Sequence, residues 1–171
     1  MKTKPAPKPV TLIPRRQGKS GDLLPITMKE QTAFNAVLAA ELAPYLLPES
    51  EQDEFYYHME CEFGPLYVCK PFPAFERGED YYWIFIQFRG SPEQFKAAID
   101  SGIDITPHCG KWNINAVTHP QDAIDELKRR LKRVNAKPVA LHAAAKEFFG
   151  SMDTLADMME NNHHESEPSH L

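Results

Sequence analysis

The chain lacks any apolar run long enough to cross a bilayer, which takes about 18 residues or more. Its N-terminus, MKTKPAPKPVTLIPRRQGKSG, is basic but carries no apolar segment of the kind a secretory signal needs. The expectation is therefore a cytoplasmic protein with no membrane partner. Cysteine is scarce: Cys61, Cys69 and Cys109 are an odd number, which fits reduced thiols better than a disulfide framework. Also missing are a phosphate-cradling G-x-x-x-x-G-K-[ST] loop, a dinucleotide-binding G-x-G-x-x-G, a zinc-binding H-E-x-x-H and a nucleophile-bearing G-x-S-x-G. No catalytic set is assembled by motif, and no cofactor is expected.

What is present is the composition of one folded domain. The 171 residues are 42% apolar and 25% charged, enough for a single core. A net charge of -5 favours solubility without naming a partner. Residues 1–22 read as a flexible basic arm, because Pro5, Pro7, Pro9 and Pro14 oppose helix and central strand alike and no acid precedes Asp22. Residues 160–171, ENNHHESEPSHL, have too little to bury and read as a disordered acidic tail with histidines. The stretch between, 23–159, reads as one domain.

Within it, Thr27-Met28-Lys29-Glu30 is a capping box, and Phe34, Val37, Leu38, Leu42 and Tyr45 follow at helical spacing until Pro44 and Pro48 end the helix. From Phe55 to Phe63 the odd positions are apolar, the period of a strand with one buried face, and Gly64-Pro65 turns it into a returning strand at Leu66–Lys70. The run Tyr81–Phe88, YYWIFIQF, predicts a central strand packed on both faces. Ser91-Pro92-Glu93-Gln94 opens a second helix that Gly102 can close. Lys111–Val117 predicts a short strand, and Thr118-His119-Pro120-Gln121 a third helix burying Ala123, Ile124, Leu127, Leu131 and Val134. A last helical region runs from Pro138 to about Met159. The fold class is α+β, with a small antiparallel or mixed sheet of about four strands and helices packed on one face.

Several residue sets invite a function. Lys128, Arg129, Arg130, Lys132 and Arg133, with Arg15 and Arg16 of the arm, could neutralise phosphates of a nucleic acid. Asp125–Arg129 and Glu126–Arg130 pairing at i,i+4 on a solvated helix would explain the same run without a ligand. Glu49, Glu51, Asp53, Glu54, Glu60 and Glu62, with Tyr56, form a negative edge that would suit a basic partner protein or simply guard a strand edge. Tyr56, Tyr82 and Trp83 are candidates for a stacking face opposite the core, although a helix covering that face would make them core residues. His58, Cys61, Cys69 and His108-Cys109 have metal-ligand chemistry, but His58 and Cys61 have opposite parity on one strand, so no metal site is expected. Cys109 with His119 or His142 is the one nucleophile–base pair that can be drawn.

At Gly110-Lys111-Trp112-Asn113, after a strand–helix unit, residues 81–116 resemble small uncharacterised proteins carried on bacterial plasmids and phages, which place a GKWN-type tetrapeptide after such a unit. The resemblance implies an accessory role in a mobile element and supplies no catalytic residue. Physically, Trp112 and Ile114 would point to one face as core anchors, leaving Asn113 and Asn115 on the other. Together these features favour a non-enzymatic accessory or regulatory protein acting through protein–protein contact. Nucleic-acid binding by the helix at 120–135 and the arm is the alternative, and an enzyme with a Cys109 nucleophile is the second.

Overall fold

Both expected capping boxes form. The computed structural model describes residues 9–76, 79–116 and 119–139. In it the Thr27 hydroxyl accepts the Glu30 amide and the Glu30 carboxylate accepts the Thr27 amide, which starts α1 (Met28–Leu42). Ser91 and Gln94 do the same for α2 (Pro92–Asp100), and Gly102 follows it at φ 83°, a left-handed value that glycine adopts without strain. The third helix, α3 (Pro120–Arg133), departs from the expected grammar. Its N-cap is His119, with no side-chain cap, so the proline in the first turn stands in for one.

Strands β1 (Tyr56–Cys61), β2 (Gly64–Cys69), β3 (Phe72–Glu76), β4 (Glu79–Phe88) and β5 (Lys111–Ala116) form a five-stranded antiparallel sheet. The expected hairpin is β1–β2, in register Tyr57↔Val68 and Met59↔Leu66, and alternate β1 positions are buried. Strand β4 is central: β2 pairs with its C-terminal part, β3 with its N-terminal part, and β5 with Tyr82–Gln87. The strand that was not expected is β3, because Pro73 sits inside a run of only five residues. The sheet tolerates it because β3 pairs with β4 alone among the described residues, and a missing N–H costs little on an edge. Since β2 and β3 follow one another along β4, the sheet is four strands wide despite having five strands.

The junction of β2 and β3 holds an extra residue. Between the pairs Val68↔Ile86 and Phe72↔Trp83, the β2–β3 chain advances four positions while β4 advances three. That mismatch is a β-bulge at Cys69-Lys70-Pro71, and it shifts the alternation of every residue after it. Without the bulge Phe72 would share the core face of Val68; with it, Phe72 stands beside Trp83 on the opposite face.

All three helices pack on one face. Phe34, Leu38 and Leu42 of α1, Ala98 of α2, and Ile124, Leu127 and Leu131 of α3 join Met59, Val68, Tyr82, Ile84, Ile86, Trp112 and Ile114 in one core. The described helices cover one face of β4, as expected, while Phe85 and Gln87 on its other face are also buried. Its even positions enter the core, and Trp83, Phe85 and Gln87 belong to the other face. Tyr82, grouped above with Tyr56 and Trp83, is a core residue stacked on Phe34 at 4.3 Å.

The N-terminal segment contributes to this core's rim. Arg15 is buried and donates to the Asp80 carbonyl at 2.6 Å and the Leu24 carbonyl at 2.9 Å, while Arg16 reaches the Pro25 carbonyl at 2.8 Å and Glu30 at 3.2 Å. Glu30 is only 2% exposed. Burial raises its pKa, but the Thr27 hydroxyl and amide and the Arg16 guanidinium outweigh that and leave it below the ordinary 4.5. Glu126 is also lowered, first by its bond from Arg129. A carboxyl with a lowered folded pKa stabilises fully above its unfolded value and loses that stabilisation as pH falls through the folded value. Unfolding free energy should thus decline as pH drops below about 4.5, and Glu30→Gln should reduce that decline in urea titrations at pH 6 and pH 3.5. An unchanged decline would place the acid sensitivity elsewhere.

By its contacts the chain divides after Lys137, into Met1–Lys137 and Pro138–Leu171. The expected last helix, the 160–171 tail and His142 lie outside the described residues, as does most of the second unit. No helix among the described residues is long and apolar enough to cross a membrane.

Candidate functional site

The face of the sheet turned away from the helices is aromatic. Strand alternation brings Tyr56 and His58 from β1, Tyr67 from β2, and Trp83 and Phe85 from β4 onto it, and the bulge adds Phe72. His58 stacks on Tyr67 at 4.0 Å, Tyr56 lies 6.0 Å from Tyr67 and 6.1 Å from Phe85, and Trp83 lies 5.9 Å from Phe85 and 5.5 Å from Phe72. The Trp83 indole N–H donates to the Asn113 side chain at 3.2 Å, which fixes the ring's rotation.

Three cations rest on these strands. The Lys111 ammonium is 4.3 Å from the Phe85 ring centre and 5.9 Å from that of Trp83, and the Arg89 guanidinium is 5.6 Å from Tyr67. Lys70, in the bulge, donates to the Asp53 carbonyl at 2.8 Å and sits 5.2 Å from the Tyr57 ring. None of the three is in a salt bridge among the described residues. Ring quadrupoles hold them in place and leave their charge uncancelled.

A cavity of about 690 Å³ opens where β1 begins and the bulge interrupts β2–β3. Its walls are Tyr56, Trp83, Phe85, Phe72 and the bulge, with Lys111 to one side, Glu54 and Phe55 at the start of β1, and Gln31 and Asn35 reaching in from α1. The Asn35 Oδ1 atom is buried without a hydrogen-bond partner among the described residues. Next to the cavity, Asp53 accepts the amides of Phe55 and Tyr56 at 2.7 Å and bonds the His58 ring. Burial raises the Asp53 pKa, but the His58 bond and those two amides outweigh it and the carboxyl is lowered overall. A smaller cavity of about 380 Å³ lies around Thr106, Trp112, Asn113 and Arg130, and Lys111 borders both.

Most of the expected nucleic-acid set is engaged with groups of this chain. Lys128 pairs with Glu41 at 2.9 Å, Arg129 and Arg130 both pair with Glu126 at 2.7 and 2.6 Å, and Arg133 donates to the Gly102 carbonyl at 2.9 Å. Arg130 also donates to the Asn113 carbonyl at 2.7 Å and stacks 4.4 Å from Trp112. Arg15 and Arg16 tie the N-terminal segment to Asp80 of β4 and Glu30 of α1 as described, and Lys132 stands exposed. The Asp125–Arg129 pair expected from spacing gives way to Glu126–Arg129, and Asp125 instead accepts Gln121 at 2.9 Å.

The expected acidic set divides in two. Glu54 and Tyr56 line the cavity, Asp53 precedes them in the chain and accepts the Tyr56 amide, and Glu49 and Glu51 lie on the short 3-10 turn before it. Glu60 instead lies 3.9 Å from Lys137, and Glu62 accepts the Asn135 side chain at 2.7 Å, so both tie β1 to the segment after α3. Phe72, Phe85, Tyr67 and Lys111 were not picked out from the sequence. The signal available was parity: Trp83 and Phe85 alternate with Ile84 and Ile86, so they could not share a face with Tyr82.

For metal and nucleophile chemistry, His58 and Cys61 do point to opposite faces, as the alternating burial along β1 requires. No cluster of three metal-ligating side chains occurs among the described residues. Burial pushes the Cys61 and Cys69 thiols up to about 11. Cys109 is partly exposed, and among the described residues no hydrogen bond joins it to His119. A disulfide-exchange reagent at pH 8 should therefore titrate one thiol in the folded protein, and three after denaturation. More than one fast native thiol would contradict the burial of Cys61 and Cys69.

Compared with known proteins, the chain matches no family model, no curated protein and no solved structure. The geometry of the open face therefore carries the functional reading.

Proposed function

We propose that this chain is a non-enzymatic accessory binding protein that docks a partner protein on the open aromatic face of its sheet. The observation that carries this reading is the juxtaposition on that face of contacting aromatic rings and two cations, Lys111 and Arg89, without salt bridges among the described residues, beside a cavity of about 690 Å³. Aromatic side chains around a pocket, with an arginine stacked elsewhere on the same face, match the composition of an interface hot spot, where a few desolvated contacts carry most of the binding energy. Phe55 and Phe72, 66% and 37% exposed, are large apolar side chains at its margin, and their burial by a partner would be favourable. Glu54 at the cavity and the net charge of -5 oppose a polyanion and favour a partner of mixed charge.

The test is capture of partners from native-host lysate by wild type and by a Tyr67→Ser/Phe72→Ser double variant, with and without nuclease. A protein held by wild type regardless of nuclease, and released by the double variant at unchanged circular dichroism, supports the reading. Capture indifferent to the double variant, or abolished by nuclease, overturns it.

A further inference from the structure

The cavity at the bulge has a more definite chemistry than a general docking face, and its lining comes from five parts of the chain that only the fold brings together. Trp83, Phe85 and Phe72 supply flat apolar walls, Lys111 a cation with no salt bridge among the described residues, and Asn35 a buried acceptor atom with no donor. Each of these calls for a different group on the ligand. The walls suit one large apolar or aromatic side chain, whose offset stacking on a ring adds to plain area burial. Lys111 suits a single carboxylate, which can displace the ammonium's contact with the rings or share it. The Asn35 side-chain amide, which lines the cavity, suits hydrogen bonding to a peptide main chain, whose N–H and C=O groups every peptide offers.

On that basis we propose that the bulge cavity is an anchor pocket for an extended peptide segment of a partner protein, presenting an aromatic or large apolar side chain next to a carboxylate. This rests on the docking reading above and names the segment that the face takes. The cavity volume of about 690 Å³ lies within the range of roughly 300–1,000 Å³ usual for ligand pockets, so one anchor side chain and its neighbours fit. Glu54 at the cavity sets the polarity: an acidic neighbour is attracted at the Lys111 side and repelled at the Glu54 side, which gives the segment a direction. A strand of phosphates would meet the same Glu54 repeatedly, whereas one carboxylate avoids it.

The experiment selects random 12-residue peptides, displayed on phage, against the immobilised full chain, then measures the best peptide by fluorescence anisotropy. The expected outcome is convergence on an aromatic or large apolar residue with Asp or Glu one or two positions away. Lys111→Gln should weaken that peptide about tenfold, the size of one lost charge-assisted hydrogen bond, and Lys111→Glu should shift a repeated selection towards Lys or Arg beside the anchor. Asn35→Leu should weaken it several-fold with no change in the preferred neighbour. If Lys111→Glu fails to fold, Lys111→Gln still decides the charge requirement. A selection without convergence, or a peptide indifferent to both Lys111 variants, overturns the inference. If the face double variant nevertheless loses its captured partner, the docking reading stands while the peptide anchor falls. A labelled single-stranded 12-nucleotide oligomer that binds and is lost in Lys111→Gln would replace the peptide with nucleic acid and overturn both.

Discussion

Trp112→Ala is expected to cost about 3–5 kcal/mol of folding stability, the usual range for truncating a buried tryptophan. Trp112 is 6% exposed, on the core face of β5, and its indole is the seat of Arg130 at 4.4 Å and Arg133 at 5.8 Å. Removing it opens a void that the surrounding β-branched and leucine side chains can fill only in part. It also strips Arg130 of a cation–π contact worth about 0.5–1 kcal/mol, which overlaps with the packing loss and does not simply add to it. Since domains of this size are stable by only about 5–15 kcal/mol, the variant should be marginal at 37 °C. Urea unfolding followed by circular dichroism measures the loss, and Trp112→Phe should recover more than half of it. A cost under about 1 kcal/mol would mean that β5 is not anchored by this ring.

Trp83→Ala should do the opposite. Trp83 lies one strand away from Trp112 on the other face of the sheet, half-buried, with Phe72, Phe85 and Asn113 as neighbours. Among the described residues it stands outside the helix-packed core, so its truncation should cost about 1 kcal/mol or less in stability. If it is a hot-spot wall of the docking pocket, the same truncation should weaken the captured partner at least about 30-fold, equivalent to about 2 kcal/mol. Titration calorimetry with that partner reads the loss directly. The paired result, stability lost at Trp112 and binding lost at Trp83, separates the two faces. Undiminished binding by the Trp83 variant at intact fold would remove the open face as the interface.

How much of this was legible depends on the range of the interaction involved. The capping boxes at Thr27 and Ser91, the β1–β2 hairpin and the buried positions of α3 are local patterns, set within a few residues, and they formed as read. Strand β3 was not legible, because Pro73 is compatible with a strand only if that strand is an edge, and edge position is a tertiary fact. For Tyr82 the sequence leaves a stacking face and the core as alternatives, because both faces of a run as apolar as YYWIFIQF are apolar; the core alternative is the one the structure shows. The basic run on α3 was legible as a cluster in sequence. Its Glu126–Arg130 pair is local and was legible too, whereas its bonds to Glu41 and two backbone carbonyls depended on where α1, β5 and Gly102 came to lie.

The candidate site divides the same way. By itself the sequence determined the residue types: aromatic and β-branched strands, two well-capped helices, a basic α3 and three thiols without a disulfide pattern. It also determined the α+β class, since period-two and period-3.6 segments alternate along the chain. The tertiary structure decided which face of the sheet is left uncovered by the described helices, because α1, α2 and α3 return to the same side. It decided too that Phe72 joins Trp83, through one extra residue at the bulge, and that Asn35 of α1 borders a cavity walled by β4. Those outcomes turn on register and packing between segments tens of residues apart, and a one-residue shift is enough to move a side chain from one face to the other.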